Sequence, residues 1–181
     1  MKQKLSYTLG IIVLVMMSLA TNPAQAAKAD QTGPYYATPS WDQTLPAGTR
    51  FIVLPNMGNA AVLDKETGLV WEQSPSIDYL DWFSAQSHCN NLTVVNRLGW
   101  RLPTIQELAS LVDITVSNPS LPIGHPFTNV QPPSYWSATA SLASPSDAWA
   151  LYFNQGDVLT YAKTSTYHVW CVRAGHGPDA Q

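Results

Sequence analysis

The residues able to do covalent, acid–base or metal chemistry are few: two cysteines, four histidines and twelve carboxylates in 181 residues. Cys89 and Cys171 are even in number, far apart, and carried by a chain with an export signal. They are expected to form a disulfide rather than to supply a nucleophile. His88, His125, His168 and His176 are scattered, and none makes a ligand-spaced pair with another histidine or with a carboxylate. Asp64 and Glu66 could be read as a metal site, but an Asp start and a Gly68 end are what a tight hairpin loop requires. No Gly-x-Ser-x-Gly elbow supports a Ser-His-Asp set. No catalytic residue, metal or cofactor is therefore assigned.

The seven tryptophans carry a different chemistry. Trp71, Trp82, Trp100 and Trp170 fall where strand or helix faces turn inward, and read as core. Trp136 and Trp149 border two polar loops, 117–134 and 140–147, where a half-exposed ring can stack on the apolar C–H face of a sugar. With Asp147 beside them, Trp136 and Trp149 are the candidate ligand-binding residues. A cluster of Asp147, Asp157 and a histidine at one loop mouth would instead favour an enzyme.

Those residues must be positioned by the stretch from Gly99 to Asp113. Trp100 and Leu102 alternate with Arg101, which puts two apolar side chains on one face and the guanidinium on the other. Pro103 bars helix at Leu102. Thr104 then takes the N-cap with Glu107 three residues on, a capping box in which each side chain satisfies the other's free backbone N–H. Ile105, Leu108, Leu111 and Val112 follow at helical spacing, predicting about two and a half turns. Trp100, Arg101, Leu102, Thr104 and Glu107 thus form the structural core motif, with Arg101 paired to a carboxylate or stacked on a ring.

Before it, strands are predicted over 51–54, 60–63 and 69–72, the last two joined by the 64–68 loop. A helix starts after an Asp81 N-cap and presents Trp82, Ala85, Cys89 and Leu92 on one face. The loop 117–134 holds five prolines. Strands are then predicted at 135–139, 148–153, 158–162 and 168–173, with a hairpin turn at 154–157. Strands, two helices, a long loop and strands again make an α+β domain.

Residues 1–26 read as a secretory signal peptide. Lys2 and Lys4 precede an apolar run from Leu9 to Ala20, and Ala24-Gln25-Ala26 is a small-x-small cleavage site. Residues 27–49 read as an extended lead-in, 50–175 as the domain and 176–181 as a tail. Without the signal, seven bases face twelve acids, a net of about −5, the wrong sign for nucleic acid. Charged residues make up only 12% of the chain, about half the usual share. The protein is expected to be exported, periplasmic or extracellular, with no membrane segment after cleavage.

Asp64…Thr67-Gly68-Leu69-Val70-Trp71, Trp82…Ala85…Cys89…Leu92, Gly99-Trp100-Arg101-Leu102-Pro103-Thr104…Glu107-Leu108, Tyr135-Trp136-Ser137 and Cys171-Val172-Arg173 occur in that order. Together they resemble the Lcl C-terminal family, the C-terminal domain of bacterial collagen-like adhesins. The resemblance implies a C-type-lectin-like or formylglycine-generating-enzyme-like fold, with two helices packed on short antiparallel sheets and long loops. It also implies adhesion or glycan binding. The calcium–sugar strings of C-type lectins are absent, Gln131-Pro132-Pro133 being the nearest, and there is no collagen-like repeat. The reading is a non-catalytic exported module for glycan or cell-envelope ligands. Its rivals are a structural subunit of a surface assembly and an envelope-acting enzyme.

Overall fold

The computed structural model of the chain describes residues 44–175. The expected signal peptide (1–26), the tail (176–181) and all but the end of the lead-in lie outside the described residues. That end is not extended: Ala47–Arg50 is a helical turn, α1. Nine strands follow, in two sheets, with two more helices between them. β1 (Phe51–Val53), β2 (Ala61–Asp64) and β3 (Leu69–Glu72) form an antiparallel meander, closed on its β3 side by the last strand, β9 (Val172–Ala174). The second sheet runs β4 (Ser76–Leu80), β8 (Tyr167–Val169), β5 (Ser134–Ala140), β6 (Asp147–Tyr152), β7 (Asp157–Ala162). Every pairing is antiparallel except β5 with β8. Mixed helix and sheet make this an α+β domain, as expected.

Three elements differ from the sequence expectation. β4 lies between the predicted 69–72 strand and the helix after Asp81, a stretch to which the sequence assigns no element. The final strand, expected whole over 168–173, is broken at Trp170-Cys171 into β8 and β9, which belong to different sheets. Glu72 makes the break: its carbonyl accepts the Trp170 indole N–H at 2.8 Å and its carboxylate the Cys171 N–H at 2.7 Å. The helix after Thr104 is also shorter than its apolar spacing suggests. α3 spans only Ile105–Ala109, and Leu111 and Val112 are buried from the turns that follow.

The local chemistry read from the sequence is present. Thr104 Oγ1 accepts the Glu107 N–H and the Glu107 carboxylate accepts the Thr104 N–H. Asp81 caps α2 (Trp82–Asn91) through the N–H groups of Phe83 and Ser84. The 64–68 loop turns inward. Asp64 takes both the Nε and Nη2 of Arg50 at 2.8 Å, plus the Glu66 N–H and the Thr67 hydroxyl. Arg50, Asp64 and Glu66 are all buried, so these acids serve an arginine and have no open face for a metal.

Two buried clusters fill the domain. One gathers Trp71, Phe127, Tyr135, Leu151, Phe153 and Trp170 with the α3 residues Ile105 and Leu108. The other gathers Met57, Ala85, Trp100, Leu102, Trp136 and both cysteines. Cys89 of α2 is bonded to Cys171, with Cα atoms 5.4 Å apart.

Candidate functional site

Trp136 is not the half-exposed ring expected from its place beside a loop. Its side chain is wholly buried, its indole N–H donates to the Leu80 carbonyl at 2.9 Å, and Tyr161 and Tyr167 pack edge-on against it. Ser134 to Ser137 are buried on both faces of β5, the middle strand of its sheet. Closeness to a loop in sequence was no guide to exposure there.

Trp149 behaves differently. It is part-exposed on β6. Among the described residues it is the one tryptophan with no indole hydrogen bond that is also engaged by no other ring or cation. Trp82 is bonded to the Ser137 carbonyl and covered by Lys163; Trp100 is bonded to the Arg97 carbonyl; Trp71 and Trp170 pack on each other. Asp147 lies two residues before Trp149, on the same strand face. It accepts from the Ser146 hydroxyl at 3.1 Å.

The two polar loops do not make one mouth. The 117–134 loop leads into β5 and the 140–147 loop leaves it, so they sit at opposite ends of a seven-residue strand, about 20 Å apart. The first is tied to the far end of β6 by Asn118 N–H to the Asn154 carbonyl and Ser120 N–H to the Phe153 carbonyl. The second is held by Lys163, whose ammonium donates to the Pro145 carbonyl at 2.8 Å. Asp147 and Asp157 are separated in the same way, because Asp147 pairs with Ala162 while Asp157 pairs with Tyr152. The acid cluster that would have favoured an enzyme is therefore not assembled. No group of three His, Cys, Asp or Glu side chains among the described residues is placed to hold a metal.

A shallow pocket of about 400 Å³ opens where the end of α3 meets the β6–β7 turn, lined by Ala109, Val112, Asp113, Ile114 and Gly156. Gly156 permits the approach: its φ is +83°, and a Cβ there would come within 2.6 Å of Val112 Cγ1. Asp113 accepts the Thr115 hydroxyl at 2.6 Å and the Thr115 N–H at 2.9 Å, which hold its pKa below the ordinary value and keep it ionised. From Gly156 the strand continues on one face through Val158 and Thr160, the cross-strand partners of Leu151 and Trp149. Pocket and indole are thus linked along one face, bounded by α3. Sequence reasoning singled out Trp149 and Asp147 and did not consider Asp113 or Gly156. The positive-φ turn glycine was the one local signal available.

Other charged residues serve the frame. Arg101 grips Glu107 with two bonds of 2.7 and 2.6 Å, and its backbone pairs with Val172. Burial works to raise the Glu107 pKa, but the bonds from Arg101 and Thr104 outweigh it and hold the acid below its ordinary value. Burial raises the Glu72 pKa to about 7 against the pull of the Cys171 N–H. His168 is buried under the Tyr79 ring, 4.2 Å away, and burial lowers its pKa.

The family model of the Lcl C-terminal domain matches residues 60–173, which take in β2 through the middle of β9. No curated protein matches the chain.

Proposed function

The chain belongs to the Lcl C-terminal domain family, and from that footing we propose that it is an exported, non-catalytic binding module whose ligand face is the α3–β6–β7 surface around Trp149. The observation that carries this is the free indole. A protein that buries or caps its other described tryptophans leaves Trp149 part-exposed, packed in part on the core, on a face that runs on to a pocket with a single ionised acid. An aromatic plane with few polar groups suits a neutral glycan, where stacking supplies affinity and hydrogen bonds supply orientation.

Family membership and the Cys89–Cys171 disulfide fit a bacterial surface or secreted module. No helix among the described residues is long and apolar enough to cross a membrane. Attachment to envelope glycan, in the periplasm or outside the cell, is the setting we propose. A C-type-lectin-like arrangement is supported by the two sheets, the two longer helices and the bridge from α2 to the segment before the last strand.

The test is a glycan array on the disulfide-bonded protein, followed by isotherms for the best neutral oligosaccharide with and without EDTA. Binding should survive EDTA and vary little with salt, since a net charge of about −5 leaves few cations to exchange against an anionic ligand. Trp149→Ala should weaken it by about 1–2 kcal/mol. Undiminished binding by Trp149→Ala, or complete loss in EDTA, would refute the assignment.

A further inference from the structure

The two sheets have four edges, and three of them are protected. β1 and β9 are three residues long. β4 shifts register between Ser76 and Leu80 and carries Asp78 at its middle. Shortness, irregularity and a mid-strand charge are the usual means by which proteins keep an edge from pairing with another chain. β7 has none of them. It is six residues long, in unbroken register with β6 from Asp157 to Ala162, without proline and without a charge inside the strand. Its aliphatic residues Val158 and Leu159 are 41% and 40% exposed.

We propose that β7 is the pairing edge of a symmetric homodimer, the second copy adding its own β7 antiparallel so that two five-stranded sheets become one. The occupant follows from the strand's own sequence. When Asp157–Lys163 is laid antiparallel on itself with Thr160 on the two-fold axis, every facing pair is favourable. Asp157 faces Lys163 of the second copy, Val158 faces Ala162, Leu159 faces Tyr161, and Thr160 faces Thr160. Opposite charges, aliphatic–aromatic pairs and paired threonines are the cross-strand combinations that stabilise antiparallel ladders. Because the contact is isologous, the charge pair forms twice. The Lys163 ammonium lies 4.5 Å over the Trp82 ring and gives one of its three donors to the Pro145 carbonyl, which leaves two to join the pair.

The axis stands perpendicular to the joined sheet, so both copies present the same face. Thr160 pairs with Trp149 within each copy. The row Trp149, Thr160, Thr160, Trp149 therefore crosses the dimer in line, and three strand spacings put the two indoles about 14 Å apart. The dimer does not depend on the ligand assignment; bivalency does, and rests on that reading.

Sedimentation over a dilution series, with the oxidised protein, tests the contact directly. The native chain should associate to a dimer and no further. Asp157→Lys and Lys163→Asp should each sediment as a monomer, because each sets like charges opposite each other at both ends. Mixed in equal amounts, the two variants should recover a dimer, since every end then faces an opposite charge. Leu159→Lys, at an exposed position, is a second disrupting variant and should also be a monomer, still folded with a cooperative melt whose midpoint no longer depends on concentration. A native protein that stays monomeric throughout overturns the proposal, as does a mixture that fails to recover the dimer when both variants are folded. A native dimer untouched by Leu159→Lys overturns it equally.

Discussion

Glu72 offers a sharp test of the physical account. Its carboxyl is buried, accepts the Cys171 N–H, and has a pKa near 7 against 4.5 when free. A group whose pKa is raised by folding favours the folded state while both states are protonated. That advantage disappears as pH climbs. The unfolded chain ionises from about 4.5, the folded one only near 7, and the difference in proton binding over that interval amounts to about 3 kcal/mol. Glu72→Gln keeps an oxygen for the Cys171 N–H but cannot ionise. Urea unfolding of both proteins at steps from pH 4 to 8 should therefore give a stability difference that moves by about 3 kcal/mol in favour of the variant as pH rises, nearly all of it between 4.5 and 7. The comparison must be made by difference. His125 and His168, whose pKa values burial lowers, contribute in the opposite sense, their stabilisation being lost as pH falls below the ordinary histidine value. Both proteins carry these histidines, so they cancel. Parallel curves across the whole range would show that Glu72 ionises at its ordinary value and that its burial has been misjudged.

Thr104→Ala removes one half of the capping box and should lower stability by about 1 kcal/mol without preventing folding, as read from the urea midpoint. Reduction of Cys89–Cys171 releases a constraint on 82 residues, for which chain entropy gives about 4.5 kcal/mol as an upper figure. The melting temperature should fall markedly in reductant, and a thiol assay on the native protein should find no free cysteine among the two. Gly156→Ala is strained both by its positive φ and by the 2.6 Å approach to Val112 Cγ1, and should cost roughly 1–3 kcal/mol in a thermal melt.

What could be read in advance was whatever is decided within a few residues. The Thr104–Glu107 box, the Asp81 cap and the inward helix face carrying Ala85 and Cys89 all depend on local hydrogen bonds or helical spacing, and all are present. So is the Asp64–Gly68 turn, although its deep embrace of Arg50 was not visible. The misreadings share a cause in sheet order. Trp136 is hidden because Tyr167 of β8, arriving from the end of the chain, and Tyr161 of β7 pack edge-on against it. The break between β8 and β9 depends on Glu72, nearly a hundred residues away in sequence. The pocket forms where the end of α3 meets the β6–β7 turn, a meeting that no periodicity records. Trp149, one strand nearer the open edge, is part-exposed as expected and rests on the core cluster below it.

The place of the disulfide has a consequence for mechanical load. A pull on the chain beyond Gly175 first meets the Gly175–Gly68 backbone bond and then the three residue pairs of β9 with β3, contacts that peel one at a time. The next residue inward is Cys171, covalently fastened to α2. Tension from that side is thus arrested after one short strand, before it reaches Trp170, β8 or the ligand face. Tension between the two ends of the oxidised chain would bypass the loop between Cys89 and Cys171 and fall on the strands that precede Cys89. In the reduced chain the same pull would run on through Trp170 and β8, so the bridge decides which part of the domain carries a load.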